Sequence, residues 1–165
     1  MDRMPCPPTP ERMISFFMQG KLIDETNRQV NISENSSNIY LTLDIDKALK
    51  GTPRNEVVVV AKLKGTKEAD GYCNHYFLVK QKEMNYPKAT ISHEIVPIEG
   101  GYRLTLNSDT FARAVYIATG DAEATFSDNF MDIIPKQSVT VDIKTGLQSE
   151  TFQKQLKIIS LPDAY

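Results

Sequence analysis

Short apolar segments that alternate with polar residues recur along this chain, and each ends at a turn signal. In the run Asn38–Ile45, apolar residues occupy every second position, which is the period of a half-buried β-strand. Strand signals at spacings of about 8–12 residues with polar turns between them are typical of antiparallel β-sandwiches. The other predicted strands are Ile14–Met18, Lys21–Ile23, Gln29–Ile32, Val57–Leu63, Tyr72–Lys80, Ala89–Val96, Tyr102–Asn107, Ala114–Ala118, Ala122–Phe126, Ser138–Ile143 and Gln155–Ser160.

Helical signals are confined to one turn. Asp44 or Asp46 is a candidate cap for a turn through residues 47–50, which Gly51 would end. The β-branched run at 57–63 is typical of a central strand, and Glu99-Gly100-Gly101 indicates a hairpin. The sequence therefore predicts an all-β fold class.

The length of 165 residues suits one medium domain or two small ones. The polar, proline-containing stretch Gln81–Lys88 is typical of a linker. We therefore predict two modules, at residues 13–82 and 83–165. Residues 1–12, with prolines at four of the first ten positions, are predicted to be a disordered or extended tail.

Composition argues against several classes of partner. The net charge of −2 and the pI of about 5.7 carry no basic footprint for nucleic acid. No apolar run approaches the roughly 20 residues of a membrane helix, so no membrane partner is expected. Cys6 and Cys73 are the only cysteines, too few for a disulfide framework or a zinc site. We expect no cofactor and no metal.

Two tripeptides match parts of a known catalytic signature. Ser127-Asp128-Asn129 and Lys144-Thr145-Gly146 match two of the three motifs of penicillin-recognising serine enzymes. The third motif, Ser-x-x-Lys, is absent from the chain, so no nucleophile is available. A motif without its structural context does not indicate an enzyme.

Other catalytic residue types are present without a constellation. A glycosidase needs two carboxylates at a set separation, and the candidates among the acidic residues are Glu25, Glu56, Glu94 and Glu99. Each lies at a strand end or a turn, where a solvated carboxylate is the simpler interpretation. The two histidines, His75 and His93, lie on predicted strands without metal or nucleophile partners. We assign no catalytic residue.

A sugar-binding module usually exposes flat aromatic rings. Tryptophan is absent here. Tyrosine side chains on strands more commonly pack in the core or against a neighbouring strand. The tyrosines concerned are Tyr40, Tyr72, Tyr76, Tyr102 and Tyr116. A free-standing carbohydrate- or protein-binding sandwich remains an open alternative.

From about Ile14 onward the chain resembles the C-terminal region of β-mannosidases of glycoside hydrolase family 2. The strongest match is Leu106–Ile117 followed by Phe126–Pro135. Weaker matches carry the resemblance through the first half, at Asn35–Asp44, Asn55–Leu63, Asn74–Leu78 and Tyr86–Ala89.

The resemblance implies two immunoglobulin-like sandwiches that follow a (β/α)₈ barrel. In that family the barrel carries both glutamates of a retaining mechanism, and nothing here resembles it. The chain would then be a non-catalytic buttress, with the barrel as its partner. Asp128 and Asn129 are expected to organise a loop through bonds to nearby backbone, with Phe126 and Phe130 packed beneath. This loop is the candidate domain contact.

The chain also departs from the family. The family's first sandwich starts with about two more strands than this chain offers before Ile14, so we expect the first module to be incomplete at its N-terminus. A bare edge strand is adhesive, so self-association through Ile14–Met18 is the hypothesis. No leader-like apolar stretch opens the sequence. Localisation stays open, and would be periplasmic if the parent were an exported bacterial enzyme.

Overall fold

The computed structural model describes residues 11–18, 20–30, 35–64 and 72–164. The chain divides into two compact units between Asn85 and Tyr86, three residues beyond the boundary predicted at 82 and 83. The predicted tail lies outside the described residues up to residue 10. Its last two residues belong instead to the first strand. None of the helices in these described ranges is long and apolar enough to cross a membrane.

The first unit contains one four-stranded sheet within its described residues. The sheet order is β2-β1-β3-β4, and the β1–β3 and β3–β4 pairs are antiparallel. A single sheet is consistent with an incomplete sandwich. The strands are β1 (Glu11–Met18), β2 (Lys21–Gln29), β3 (Val57–Lys64) and β4 (Tyr72–Phe77).

The central position of β3 confirms the prediction made from its β-branched residues. Val57 and Val60 point to opposite faces of the sheet, and both are buried. A strand buried on both faces has a nearly continuous apolar run instead of an alternating one.

The prediction of an open edge at Ile14–Met18 is wrong. The strand β1 lies between β2 and β3, and its backbone pairs with β3 from Glu11↔Lys64 to Met18↔Val57. Because both sides of β1 are occupied by neighbouring strands, this strand offers no free row of backbone groups to another chain.

The strand predicted over Asn38–Ile45 is also wrong. Residues 36–44 have no regular secondary structure, and Ile39 is 88% exposed. The helix α1 (Ile45–Leu49) follows this segment and corresponds to the predicted helical turn at 47–50; the Asp44 carboxylate caps it by accepting a hydrogen bond from the Lys47 N–H. Ala48 and Leu49 of the helix are buried with Val57 and Val59 of β3, and Leu43 and Ile45 pack against this cluster although they pair with no strand.

The end of α1 confirms the predicted stop. Lys50 adopts a left-handed backbone with φ of 52°, and Gly51 follows with φ of 85°. Glycine takes this conformation without a steric penalty, which ends the helix after little more than one turn.

The second unit is a sandwich of two antiparallel sheets, with the strand orders β5-β6-β10-β8 and β11-β7-β9. Its elements are β5 (Ile91–Ile98), β6 (Gly101–Ser108), β7 (Ala112–Thr119), β8 (Thr125–Phe126), β9 (Met131–Ile133), β10 (Val139–Lys144), α2 (Ser149–Gln155) and β11 (Leu156–Ile159). Short 3₁₀ turns lie at Arg54–Glu56, Gln81–Glu83 and Leu161–Ala164.

The core of the second unit is built by every second residue of its strands, because alternate side chains point into the sandwich. Leu104 and Ile143 come from one sheet and Ile117 and Ile133 from the other, and all four are buried in one cluster. Full burial of each such side chain is worth about 1.5–3 kcal/mol. Together these buried side chains form the interior of the sandwich.

Like the short strand β9, the helix α2 is not predicted from the sequence. It has seven residues, and Phe152 is its one buried residue. That ring stacks on Tyr102 with 4.1 Å between centroids, while the Tyr102 hydroxyl donates to the Leu147 carbonyl oxygen at 2.8 Å. One apolar residue in seven gives no helical periodicity, so only tertiary packing reveals this helix.

The predicted hairpin is confirmed, and its second glycine has a specific role. The strands β5 and β6 pair up to Ile98↔Gly101. A Cβ atom at Gly101 would collide with the Ile143 carbonyl oxygen of β10, whereas a Cβ at Gly146 would meet nothing within 4 Å.

We therefore expect Gly101→Ala to lower the free energy of unfolding by roughly 2–3 kcal/mol, because β10 must move away from β6. The matched control Gly146→Ala should change it by less than about 0.5 kcal/mol. Urea denaturation followed by far-UV circular dichroism measures both. Equal midpoints for the two variants would contradict the assigned close approach.

Candidate functional site

The loop between β8 and β9 is organised by the side chain of Asn129. Its Oδ1 accepts from the Ile117 N–H at 2.8 Å, and its Nδ2 donates to the Ile117 carbonyl oxygen at 2.9 Å. The β7–β9 ladder has its last pair at Val115↔Met131. Ile117 and Asn129 would be the next pair, so a side-chain amide continues the ladder where the backbone has turned away.

The neighbouring residues of the loop are also structural. The Asp128 carboxylate accepts from the Asn129 N–H at 2.8 Å. Ser127 exchanges two bonds with Asp142 of β10: its hydroxyl oxygen accepts from the Asp142 N–H at 2.9 Å, and its own N–H donates to the Asp142 carbonyl oxygen at 2.8 Å. The Ser-Asp-Asn tripeptide therefore organises the loop through side-chain bonds to backbone groups, as expected of Asx residues.

The second tripeptide, Lys144-Thr145-Gly146, is also held by backbone contacts. Lys144 pairs with Thr125 across β10 and β8, and the Thr145 hydroxyl donates to the Glu123 carbonyl oxygen at 3.1 Å. Both tripeptides lie next to the β8–β10 ladder, so the pairing of these two strands accounts for their proximity.

The two phenylalanines of the loop have different surroundings. Phe126 is half-buried and packs against the core, as expected. Phe130 is 65% exposed, so the expectation that it packs beneath the loop is wrong. Asn129 occupies the edge of β7, and the chain then turns through a left-handed backbone at Phe130, with φ of 59°. The Asn129 Oδ1 accepts from the Phe130 N–H at 3.0 Å and stabilises this turn.

Phe130 stacks on Tyr116 of β7 and borders a shallow cavity. The ring centroids lie 4.9 Å apart with 27° between the planes. The cavity holds about 200 Å³, and we call it the Phe130 pocket. Its lining residues are Ala114, Tyr116, Phe130, Ile159, Ser160, Leu161 and Ala164.

A second residue with a left-handed backbone, Ala114, also lines the pocket. Ala114 has φ of 48° in a β-bulge of β7, between the pairs Ala112↔Ile133 and Val115↔Met131. The Asp132 carboxylate, whose side chain is 8% exposed, accepts from the Ala114 N–H at 2.8 Å and forms an ion pair with Arg113. Since a left-handed backbone is costly outside glycine, these charged contacts hold the bulge in place.

One wall of the pocket depends on an Asp–Ser contact. The Ser160 N–H and hydroxyl both donate to the Asp163 carboxylate, at 2.9 and 2.7 Å. These hydrogen bonds, with Lys88 at 3.7 Å, hold the pKa of Asp163 below its ordinary value. The contact fixes the 3₁₀ turn that carries Leu161 and Ala164.

Sequence reasoning missed Tyr116 and Ile159 as surface residues. Tyr116 is 36% exposed, whereas Tyr102 is buried as expected of a strand tyrosine. In the first unit, Tyr76 is 67% exposed, and Tyr40 lies outside the strands. The alternation in β7 does indicate that Tyr116 faces away from Ile117, but it does not show that Phe130 would lie over it.

The four candidate glutamates lie on different elements: Glu25 on β2, Glu56 in a 3₁₀ turn, Glu94 on β5 and Glu99 in the turn that follows it. Glu25, Glu94 and Glu99 are exposed as expected, while Glu56 is partly buried. Glu94 and Glu99 lie five residues apart along one strand and its turn, a span of about 17 Å that exceeds a glycosidase dyad. Within the described residues, no three His, Cys, Asp or Glu side chains are grouped to hold a metal ion.

We expect Asn129→Ala to lower the free energy of unfolding by about 2–3 kcal/mol, because both backbone groups of Ile117 lose their partner. The ring contacts between Phe130 and Tyr116 should disappear from NOE spectra of the same variant. The exposed Asn38→Ala serves as control and should lie within about 0.5 kcal/mol of wild type. Retention of the ring contacts in Asn129→Ala would contradict the positioning role.

Stability should also fall in acid through Asp163. Its pKa is lowered on folding, so its contribution is present above the unfolded pKa of about 3.9 and is lost as pH falls through the folded value. Asp163→Asn should therefore show a shallower loss of stability below about pH 4 than wild type. Urea midpoints between neutral pH and acid measure this, with the exposed Asp121→Asn as control. Parallel curves for wild type and Asp163→Asn would contradict the assignment.

Comparison with known proteins covers nearly the whole chain. Residues 12–83 match the family model described as a mannosidase Ig/CBM-like domain. Residues 86–164 match the Ig-fold domain model of the mannosidase Ig family. No curated protein matches the sequence.

Among solved structures, the chain is similar to the β-D-mannosidase from Dictyoglomus thermophilum. The TM-score is 0.65 and the identity 19%, so this likeness speaks for the fold. The match covers 94% of this chain but 19% of that enzyme's chain.

The two adjacent family matches, the antiparallel sheets and the structural likeness lead to one assignment. The chain belongs to the mannosidase immunoglobulin-like domain families and comprises C-terminal immunoglobulin-like domains of the β-mannosidase type.

Proposed function

We propose that this chain is the non-catalytic C-terminal accessory region of a β-mannosidase whose catalytic barrel hydrolyses terminal β-D-mannosyl residues. The observation that carries the proposal is the order of the two family matches. The mannosidase Ig/CBM-like domain at residues 12–83 is followed directly by the mannosidase Ig-fold domain at 86–164.

The chemistry of the described residues supports a non-catalytic role. The sandwich interior of the second unit is filled by its own side chains, including Leu104, Ile117 and Phe152. The tripeptides that imitate a serine-enzyme signature are engaged in backbone pairing around β8 and β10. Hydrolysis by a retaining mechanism would be the work of two glutamates on the barrel.

The proposed role is to buttress that barrel. Interfaces between domains of one chain commonly bury roughly 600–1,500 Å² and carry apolar contacts at their centre. The loop Phe126–Phe130 is the candidate contact, since it presents one large apolar ring on the surface of an otherwise tightly hydrogen-bonded turn.

An antibody against residues 86–164 provides the test. Immunodepletion of the source lysate should remove its aryl β-mannosidase activity, because the accessory region and the barrel share one polypeptide. The purified 165-residue chain should not hydrolyse the same aryl β-mannoside. Full activity in the depleted lysate, or turnover by the purified chain, would overturn the proposal. A pre-immune serum is the control.

A further inference from the structure

We infer that the Phe130 pocket is the socket for one apolar side chain from the catalytic region of the parent mannosidase. The inference rests on the proposed function and specifies where and by what chemistry the accessory region docks. It follows from the exposure of Phe130, the lining of the pocket and the size of the patch.

The exposure of Phe130 is imposed by the fold. A bulky residue in the left-handed region is strained, and an exposed aromatic ring contributes little to folding. Asn129 nevertheless bonds both to the Ile117 backbone and to the Phe130 N–H, which holds the ring over Tyr116. A strained backbone with a fixed, exposed ring is typical of a preorganised binding surface.

The lining favours an apolar protein side chain over a sugar. Five of the seven lining residues carry no polar side-chain group, and the hydroxyl of Ser160 already donates to Asp163. A mannosyl unit brings several hydroxyls, and each one that is desolvated without a partner weakens binding. An aliphatic or aromatic side chain meets no such cost.

The size of the patch favours a covalently linked partner over a second copy of this chain. A pocket of about 200 Å³ accommodates one side chain, and one buried side chain alone supplies far less contact than the roughly 800 Å² per partner of a stable interface between separate proteins. A domain on the same polypeptide is present at an effective concentration near millimolar, so a single apolar anchor suffices. In the similar mannosidase the matched region is 19% of the chain, which leaves most of that polypeptide as a source of the anchor.

Hydroxyl-radical footprinting of the immunopurified, β-mannosidase-active protein tests the inference, with the isolated 165-residue chain as reference. Oxidation of Phe130 and Tyr116 should be several-fold lower in the active protein. Equal oxidation in both samples overturns the inference while the measured activity leaves the proposed function standing. Absence of mannosidase activity from the purified material overturns the proposed function, and this inference with it.

A second measurement tests the chemistry of the occupant. Amide chemical shifts of the ¹⁵N-labelled chain are followed while N-acetyl-leucine amide or β-1,4-mannobiose is added. Shifts at Tyr116, Phe130 and Ile159 with the leucine derivative alone support the inference. Shifts there with mannobiose, or with neither probe, overturn it.

Variants complete the design. Phe130→Ala should weaken binding of the leucine derivative about tenfold, because the main wall of the pocket is removed. Ile159→Lys should do the same by placing a charge in the pocket. Tyr76→Ala removes an equally exposed ring from the first unit and should leave affinity unchanged. A well-dispersed amide spectrum of each variant confirms that it folds, and unchanged affinity in both pocket variants would overturn the assignment.

Discussion

Burial of alternate side chains between two sheets is the constraint on which the second unit depends. Leu104 and Ile143 of one sheet meet Ile117 and Ile133 of the other in a single cluster. The hairpin at Gly101 allows β6 and β10 to approach closely enough for that cluster to form. The helix α2 then covers the end of the core with Phe152.

The edge of β7 shows how the surface around Phe130 is made. The strand β9 is only three residues long, and its backbone pairing with β7 ends at Met131. The Asp132 carboxylate accepts from the Ala114 N–H inside the bulge, and the Asn129 amide bonds to the Ile117 backbone beyond the last pair, so side chains satisfy the backbone of β7 where the ladder is interrupted or has ended. Because short polar side chains do this work, the chain is free to turn outward and present Phe130.

The immunoglobulin-like assignment and the surface chemistry are mutually consistent. The second unit has a core of buried side chains and a small, mostly apolar pocket beside Phe130. The family matches name mannosidase domains over residues 12–83 and 86–164. The docking role inferred for Phe130 builds on the accessory role proposed from these matches and adds a specific surface to it.

Much of this could be predicted from the sequence, because strand and turn signals are local. The β-branched run at 57–63, the hairpin at Gly100-Gly101 and the stop at Gly51 depend on backbone preferences of a few neighbouring residues, and all three are confirmed. The resemblance to β-mannosidases was likewise carried by contiguous motifs, most clearly around Asn129.

Only the tertiary structure decided the features that depend on contacts between distant residues. Ile39, Leu41, Leu43 and Ile45 alternate like a strand, yet residues 36–44 join no sheet, and Leu43 packs from an irregular segment against the cluster that contains Val57 and Val59. The predicted edge strand became an interior strand because β2 and β3 pair with it on both sides. The outward position of Phe130 was beyond sequence reasoning, since it depends on an amide of Asn129 that bonds to Ile117, twelve residues away in the chain.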